Sequence, residues 1–467
     1  MMLFEVNARL RHRDLRHLVD AHVDRAAALG FDWIWLMGLW RTGPASVAVS
    51  RTIEPDFEGS PYAIADYEVS DDLGGEAALA EFVDRAHARG LRVMADFVPN
   101  HLAIDSPILA AEPSFAVHWN PFVRDAQATD YFDHPGGRLA HGKDPYFAGW
   151  TDTAQLDYTH PGLRAHQIDV LRRIAERVDG VRCDMAMLVL REHVRTHWFP
   201  RVDREAFDRA YPDELWREAI AAVRAGRPDF HFLAEVYWDK EAELQWLGFD
   251  HTYDKKLYDL LAHGRAPEDV ARYLHQAHPE YLARSVHFLE NHDEERAAVR
   301  FGRRARPAAL VSFAVPGAVL VHEGQMEGLR EKLPVQRRVP LLEEAPDEDL
   351  ARFYERLLAC VKDPLYRLGR LDVVGVEHGL LLWLRQHEGR LALIGADLSA
   401  SRSESPAIEL PLHRLGLSTG APLVARDRWL DVPIDVRAGL AESLLRLPRG
   451  AFAAFGDAHG FLLELST

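Results

Sequence analysis

The segment at residues 92–101 reads RVMADFVPNH: an apolar run that ends in polar residues and carries Asp96. Three further segments share this form, DGVRCDM at 179–185, FHFLAEVYW at 230–238 and SVHFLENHDEER at 285–296. Each has the short apolar run that is typical of a buried strand and carries a carboxylate towards its end. Because an unpaired buried charge is costly, carboxylates at the ends of buried strands indicate functional positions.

Apolar strand-like segments alternate with helical stretches along the first 325 residues. The predicted strands are 3–10, 31–37, 92–98, 178–184, 231–237, 247–254, 285–291 and 317–324. Helical spacing occurs at residues 14–30, 74–90, 161–178, 213–226 and 348–363. Eight such strands predict an α/β fold, a closed (β/α)8 TIM barrel. The C-terminal strand ends of such a barrel converge on one pocket, where we expect the carboxylates to meet.

Two parts of the chain break this alternation. Residues 102–160 are rich in proline, glycine, aspartate and aromatic residues without a helical period, which predicts a short insertion after strand three at the barrel mouth. From residue 365 onwards, apolar and polar residues alternate between turn signals, which predicts an antiparallel β-sandwich domain. The predicted domains are a barrel formed by 1–101 and 161–364, the insertion 102–160, and the C-terminal domain 365–467.

Charge and composition restrict the partners. The chain has 55 Lys and Arg against 72 Asp and Glu, a net charge of −17, which disfavours nucleic acid and anionic membranes and suits a neutral substrate. No apolar run reaches the roughly 18 residues of a membrane span. The start, MMLFEVNARL, lacks a secretion-signal pattern, so we expect a cytoplasmic protein. The oligomeric state stays open.

The four segments resemble the sequence signatures of the α-amylase superfamily, glycoside hydrolase family 13. In that family the four signatures look like D-x-x-x-N-H, G-x-R-x-D, a glutamate that ends strand five, and N-H-D. The matching residues are Asp96, Asn100 and His101; Gly180, Arg182 and Asp184; Glu235; and Asn291, His292 and Asp293. The segment GSPYAIADYEV is similar to the family's stretch before strand three, where Tyr62 would stack on a sugar. With the barrel, insertion and β-domain, the resemblance covers nearly the whole chain.

The resemblance implies retaining cleavage of an α-glucosidic bond by double displacement. In that mechanism one carboxylate attacks the sugar while a second carboxyl group serves as acid and then as base. Asp184 would be the nucleophile, Glu235 the acid/base, and Asp293 the third carboxylate that holds sugar hydroxyls. Further substrate-binding residues would be Tyr62, Asp96, His101, Arg182, Tyr237, Trp238 and His292.

Arg182 and Asp184 stand two residues apart on one predicted strand, so their side chains point the same way. A guanidinium at that distance keeps the carboxylate ionised and nucleophilic. Alternatively, Arg182 and Asp184 form a buried ion pair that has no catalytic role. Asp96 can likewise be interpreted as a structural hydrogen-bond acceptor. Aromatic residues of the insertion either line a sugar site or pack the loop; they include Trp119, Phe122, Tyr146 and Trp150.

No organic cofactor is implied, and we expect no tight calcium site. Many α-amylases hold a structural calcium through the asparagine of the first signature, here Asn100, and an aspartate of a second loop. Gln155 stands where that aspartate would be. A neutral amide is a poorer ligand for a hard cation than a carboxylate.

The resemblance implies a carbohydrate substrate, an α-glucan or a small α-glucoside, and two other functions stay open. One is a transferring or phosphorolytic enzyme on the same scaffold: a transglycosylase, a maltosyltransferase or an enzyme similar to sucrose phosphorylase. Residues just past Glu235 and Asp293 are candidates for the acceptor region, namely Tyr237, Trp238, Glu294 and Arg296. The other function is that of an amylase-like binding protein without catalysis. This chain keeps all three carboxylates, which disfavours that alternative.

Overall fold

The computed structural model of the chain describes residues 1–10, 14–18, 22–123, 127–417, 423–436 and 443–466. It contains a closed barrel of eight strands, which confirms the predicted α/β fold. Each barrel strand lies beside its chain neighbours, and the ring closes between the last strand and the first. These strands, β1 to β8, are Met2–Asn7, Trp33–Met37, Arg92–Phe97, Gly180–Cys183, His231–Ala234, His251–Tyr253, Ser285–His287 and Ala318–His322.

Each of the five stretches with predicted helical spacing contains α-helix in the described residues. In the helix Gly75–His87, for example, Leu79, Phe82, Val83 and Ala86 are buried on one face. Residues 19–21 of the first predicted helix lie outside the described residues. The α-helices are Leu15–Leu18, Asp24–Leu29, Pro44–Ile53, Gly75–His87, Pro107–Ala111, Pro161–Ala175, Arg191–Trp198, Arg204–Ala210, Leu215–Arg224, Glu241–Leu247, Lys255–Ala262, Pro267–Gln276, Pro279–Ala283, Ala297–Arg300, Ala305–Ala314, Glu348–Val361, Pro364–Arg367 and Phe455–Ala458.

Small two-stranded sheets lie outside the barrel. The strand Trp40–Thr42 pairs with Ile64–Val69. Within the predicted insertion, His101–Ala103 pairs with Thr153–Gln155, and Tyr131–His134 forms a hairpin with Gly137–Ala140. The first of these insertion pairs ties the beginning of the insertion to its end, directly after β3.

The C-terminal region is antiparallel, as predicted. Its strands, β9 to β16, are Arg370–Glu377, Leu380–His387, Arg390–Ala396, Ile408–Pro411, Val424–Asp427, Val432–Ile434, Leu444–Leu447 and Gly460–Ser466. Six of them form one sheet in the order β9-β10-β11-β16-β13-β14, and β12 pairs with β15. Apolar side chains from both sheets share one core, including Leu382, Leu393, Leu410, Leu445 and Leu463. Alternation of apolar residues along these strands produces that shared core.

The chain divides into two compact units. The first unit comprises Phe4–Tyr253 and Leu333–Glu343, and the second comprises Met1–Leu3, Asp254–Lys332 and Glu344–Thr467. The domain boundaries taken from the sequence stay predictions. Within the described ranges, no helix combines the length and the apolar character needed to cross a membrane.

Candidate active site

Three neighbouring barrel strands in the first unit carry the predicted site residues. Strand β4 pairs in parallel with β3 and with β5, and Arg182 stands opposite Asp96 in the register. Asp184 follows the last residue of β4, and Glu235 follows the last residue of β5. The structure therefore places Asp96, Asp184 and Glu235 at the same end of adjacent strands, as the sequence predicted from strand order.

Arg182 links these carboxylates. Its Nη1 lies 2.8 Å from Oδ1 of Asp184 and 3.8 Å from Oδ1 of Asp96, while its Nη2 lies 2.8 Å from Oε2 of Glu235. The Arg182 side chain has no exposed surface, and those of Asp184 and Glu235 are 9% and 4% exposed. A planar guanidinium presents its N–H groups in a fixed fork, so it holds both carboxylates in one geometry.

Aromatic rings surround the guanidinium on several sides. Its Cζ lies 5.2 Å from the ring centre of Trp35, 5.5 Å from that of Tyr62 and 5.8 Å from that of Tyr253. The Tyr253 hydroxyl also accepts a hydrogen bond from Arg182 Nε at 3.4 Å. Burial pulls the pKa of Arg182 down, yet nearby acidic groups, Glu235 foremost, raise it well above its ordinary value. The guanidinium is thereby stabilised in its charged form although it is fully buried.

Trp35 and Tyr253 are site residues that the sequence did not identify. Trp35 is fully buried. Its indole N–H, however, donates to Oδ1 of Asp96 at 3.2 Å. A buried tryptophan needs a hydrogen-bond partner for its N–H group. This requirement is the signal in the sequence that could have identified Trp35 as a site residue. Tyr253 ends β6 with a polar group, which is the same strand-end pattern that identified the carboxylates.

Glu235 accepts hydrogen bonds on both oxygens. Its Oε2 accepts the backbone N–H of Met185 at 2.7 Å, and its Oε1 accepts the Tyr237 hydroxyl at 2.8 Å. Met185 has a φ of 40°, a left-handed conformation that is uncommon for a residue with a side chain. This conformation aims the Met185 N–H at the carboxylate. Left-handed backbone at such a place is typical of functional sites.

Asp96 is a hydrogen-bond acceptor for the second barrel strand. Its Oδ2 accepts the backbone N–H of Gly38 at 3.2 Å, and its backbone carbonyl accepts the Trp40 indole N–H at 2.6 Å. Gly38 has a φ of 80°, which favours glycine there. With Arg182 at 3.8 Å, Asp96 positions the guanidinium and the end of β2. Its direct contact with substrate stays a prediction.

His101 and Trp238 lie beside aromatic residues of the insertion. The His101 ring lies 5.1 Å from that of Trp150, and burial lowers the pKa of His101 to about 4. His101 is therefore neutral at physiological pH, and its contact with a sugar hydroxyl stays a prediction. The Trp238 ring lies 5.1 Å from that of Tyr146, which is 69% exposed.

The fourth signature lies in the second unit, after β7. His292 Nε2 lies 3.0 Å from Oδ2 of Asp293, and Asn291 Oδ1 accepts the backbone N–H groups of Asp293 and Glu294. The His292 side chain is buried, whereas that of Asp293 is 48% exposed. Lys332 donates to the Asp293 carbonyl. These contacts fix the loop that presents the Asp293 carboxylate.

The two other residues proposed for the acceptor region are engaged elsewhere in the second unit. Arg296 Nη1 lies 2.8 Å from Oε1 of the fully buried Glu290, and its Nη2 donates to the Glu323 carbonyl. Arg296 is buried in these contacts, and its part in the acceptor region stays a prediction. Glu294 lies 3.5 Å from Lys255 Nζ.

The side chains of Asn100 and Gln155 form an amide pair where the family's calcium would be held, and the expected lack of a tight calcium site stays a prediction. Gln155 Nε2 donates to Asn100 Oδ1 at 2.9 Å, and both side chains are buried. The oxygen that would bind the cation thus accepts an amide N–H group. The second potential ligand is neutral, whereas calcium sites use carboxylates to balance the charge of the cation. The amide pair joins the segment after β3 to the end of the insertion.

A parallel barrel with carboxylates grouped at its strand ends is the arrangement of the barrel glycosidases. A sequence profile described as "Alpha amylase, catalytic domain" matches residues 14–345. The chain therefore belongs to the α-amylase family, glycoside hydrolase family 13.

Similar proteins bear related names. The α-amylase MalA of Haloarcula japonica is 29% identical over 372 residues, 77% of this chain and 48% of that protein. An intracellular maltogenic amylase of Bacillus subtilis is 24% identical over 321 residues, 64% of this chain and 49% of that protein. The chain thus spans about half the length of these curated relatives. The structure of the maltogenic α-amylase AmyB from Thermotoga neapolitana matches with a TM-score of 0.75 at 20% identity, covering 100% of this chain and 99% of that one.

Proposed function

We propose that this protein cleaves α-glucosidic bonds with retention of anomeric configuration. The observation that supports this most directly is the position of Arg182, 2.8 Å from both Asp184 and Glu235. A retaining glycosidase needs two carboxyl groups held close together around one bond. A rigid cationic fork between them is a means of holding two acidic groups in such a site.

Asp184 is the proposed nucleophile. Its Oδ1 is held by Arg182 Nη1 at 2.8 Å, and we assign the attack on the anomeric carbon to this carboxylate. The guanidinium stabilises the negative charge that the attacking carboxylate must carry. The backbone N–H of Asp184 also donates to the Phe97 carbonyl of β3 at 2.8 Å, which fixes the residue beyond the end of its strand.

Glu235 is the proposed acid and base. Its Oε2 is held by Met185 and Arg182, so we assign proton transfer to Oε1. The Tyr237 hydroxyl beside Oε1 can donate or accept a hydrogen bond. It therefore suits both states of Oε1: protonated before the leaving sugar departs and deprotonated when water attacks the glycosyl-enzyme.

Asp293 and His292 are proposed as the third carboxylate and its hydrogen-bond partner. Their assignment rests on the N-H-D signature and on the fixed loop after β7. For the substrate, we propose maltooligosaccharides or related α-glucans, because the named relatives are α-amylases and maltogenic amylases. We propose a cytoplasmic location because one relative is described as intracellular.

The experiment is a time course of proton NMR spectra with maltose, maltotriose, sucrose and trehalose. Early release of the α-anomer supports a retaining α-glycosidase, whereas an early β-anomer would overturn retention. Early appearance of longer oligosaccharides would move the assignment to a transferase. Parallel runs with Asp184→Asn and Glu235→Gln test the two roles, and we expect each variant to lose at least about 100-fold in kcat.

The two variants should differ with an activated substrate. A p-nitrophenyl leaving group needs little protonation, so Glu235→Gln should keep far more activity on p-nitrophenyl α-glucoside than on maltotriose. Asp184→Asn should be impaired on both substrates because the nucleophile itself is missing. Equal losses for Glu235→Gln on the two substrates would contradict its role as acid.

A further inference from the structure

We propose that Arg338, in the segment that follows β8, is a positioning residue that fixes Tyr62 at the active site. The proposal rests on the proposed function, because it takes Tyr62 as the residue that stacks on the sugar at the cleaved bond. Arg338 belongs to Leu333–Glu343, which we call the strap and which is part of the first unit, although the chain on either side of it belongs to the second. Tyr62 is the last residue of the segment 54–62, which we call the tyrosine loop, in the same unit.

The tyrosine loop has no helix or strand of its own, so its position depends on contacts with other segments. Arg338 makes contacts on both sides of Tyr62. Its Nε lies 2.8 Å from Oε2 of Glu58, which precedes Tyr62, and its Nη1 contacts Oδ2 of Asp72, which follows. The Arg338 side chain is only 17% exposed. One guanidinium therefore ties down the chain before and after Tyr62.

The strap holds the tyrosine loop by further contacts. The Gln336 carbonyl accepts the backbone N–H of Glu58 at 2.9 Å. Arg337 pairs with Glu54, and its Cζ lies 5.3 Å from the ring centre of Phe57. The Arg337 side chain is 5% exposed. Fully exposed ion pairs contribute little to stability, but a pair that is largely withdrawn from water holds its partners more firmly.

A third arginine contacts the tyrosine loop from the barrel. Arg9 follows β1 and is 2% exposed. Its Nη2 donates to the Glu58 carbonyl at 2.7 Å, and its Nη1 donates to the Gly59 carbonyl at 3.1 Å. Burial, and next the charge of Arg338, lower the pKa of Arg9 to about 9, while the charge of Glu58 opposes this shift. The Glu58 carboxylate thus offsets two neighbouring cations.

Hydrogen bonds continue from this anchored part of the loop to Tyr62. Ser60 Oγ accepts the backbone N–H of Tyr62 at 3.2 Å, and the Ser60 backbone N–H donates to Ser46 Oγ at 2.9 Å. The Tyr62 ring centre lies 5.5 Å from Cζ of Arg182, which contacts both proposed catalytic carboxylates. A displaced loop therefore moves the Tyr62 ring relative to the sugar site. A misplacement of about 1 Å can lower the rate by up to about 100-fold.

A purely structural role for Arg338 makes a different prediction. If the strap only adds stability, replacing Arg338 changes kcat/KM by the same factor whether or not the Tyr62 ring is present. If Arg338 acts through Tyr62, its effect on kcat/KM disappears once that ring is absent. A double-mutant cycle measures this difference, because residues that act through one another are non-additive.

The experiment measures kcat/KM on maltotriose for Arg338→Met, Tyr62→Ala and the double variant. We expect Arg338→Met to lower kcat/KM about tenfold in the wild-type background and less than about twofold in the Tyr62→Ala background. Arg338→Lys keeps the charge without the fork and should recover part of the loss. Arg195→Met is the matched control, because it breaks an ion pair with Glu192 at 2.8 Å within the helix Arg191–Trp198, and it should match the wild type.

Hydrogen exchange followed by mass spectrometry supplies a readout that is independent of turnover. Amides of the tyrosine loop should exchange about tenfold faster in Arg338→Met than in the wild type, while those of β4 keep their rate. Glu58→Gln removes the same ion pair from the loop side. It takes the place of Arg338→Met in both measurements if Arg338→Met does not fold.

The two readouts separate this proposal from the proposed function. If the wild type is active but Arg338→Met matches Arg195→Met, or lowers kcat/KM by the same factor in both backgrounds, the positioning role is overturned and the function stands. A Tyr62→Ala protein with wild-type activity would also overturn the positioning role. If the wild type shows no turnover, the proposed function is overturned. In that case, faster exchange of the tyrosine loop in Arg338→Met supports the strap, and unchanged exchange overturns it.

Discussion

The guanidinium of Arg182 lies 2.8 Å from the carboxylate of Glu235, across two paired strands of the barrel. The contact is buried on both sides, at 0% and 4% side-chain exposure. The Arg182 cation thus holds Glu235, which follows the neighbouring strand β5, as well as Asp184, which follows its own strand β4. Such a network is costly to disrupt, because each partner removed leaves a charge without compensation in a dry site.

Replacement of Arg182 by Met should therefore impair both stability and activity. Two buried carboxylates lose their shared partner, so we expect the free energy of unfolding to fall by about 3–5 kcal/mol. We expect kcat to fall by at least about 100-fold. Chemical denaturation and kcat on maltotriose measure the two effects.

Two further variants serve as comparisons for the stability of Arg182→Met. Arg182→Lys keeps the charge without the fork and should recover stability in part. Arg172→Met removes an exposed arginine that pairs with Asp169 at 3.0 Å, and it should change stability by less than about 0.5 kcal/mol. An Arg182→Met protein as stable as Arg172→Met would contradict the role of the network.

Because Met185 has a left-handed backbone, we expect glycine at this position to be more stabilising than alanine. Glycine adopts a φ of 40° without the steric cost that any side chain incurs there. Met185→Gly should therefore be more stable than Met185→Ala by about 1–2 kcal/mol, although alanine is normally preferred to glycine. The comparison cancels the loss of the methionine side chain. Equal stability in urea denaturation would show that the conformation relaxes in the alanine variant.

The amide pair of Asn100 and Gln155 predicts a structure that is insensitive to calcium removal. We expect the wild-type melting temperature to be the same in EDTA and in calcium chloride. Gln155→Asp loses the hydrogen bond to Asn100, which should cost about 1–3 kcal/mol in EDTA. The new carboxylate supplies the ligand type that the wild type lacks, so calcium should restore part of the loss. A lower wild-type melting temperature in EDTA would refute this account.

We expect the buried His231 to make the folded protein less stable in acid. Burial, ahead of the opposing charge of Asp250, lowers its pKa to about 4 from an unfolded value near 6.5. The unfolded chain therefore binds the proton more readily. This contribution to stability is complete above pH 6.5 and is lost as the pH falls through 4, by about 3 kcal/mol in total.

His231→Gln should remove most of that pH dependence. The His231 Nε2 contacts Nδ1 of His251 at 3.0 Å, and a glutamine amide can still hydrogen-bond there. Urea denaturation at several pH values between 6.5 and 4 gives the slope, and His275→Gln, which replaces an exposed histidine, is the control. An unchanged slope in His231→Gln would exclude the residue as a source of acid sensitivity.

Much of the fold could be predicted from local patterns. Apolar runs of strand length alternate with helical spacing, and all eight predicted barrel strands form. The antiparallel C-terminal sheets were likewise indicated by the alternation of apolar residues. The proximity of Asp96, Asp184 and Glu235 followed from strand order, because neighbouring parallel strands end at the same edge. These features depend on periodicity and order, which a sequence carries directly.

Other features depend on which side chains meet in space. The rings of Trp35 and Tyr253 around Arg182, the left-handed Met185 that aims an N–H at Glu235, and the pairing of Tyr146 with Trp238 join residues far apart in the chain. The sequence by itself determined the barrel and the type of residue at each strand end. Only the tertiary structure decided which partner each residue contacts, because packing and desolvation act between distant segments once the barrel has closed.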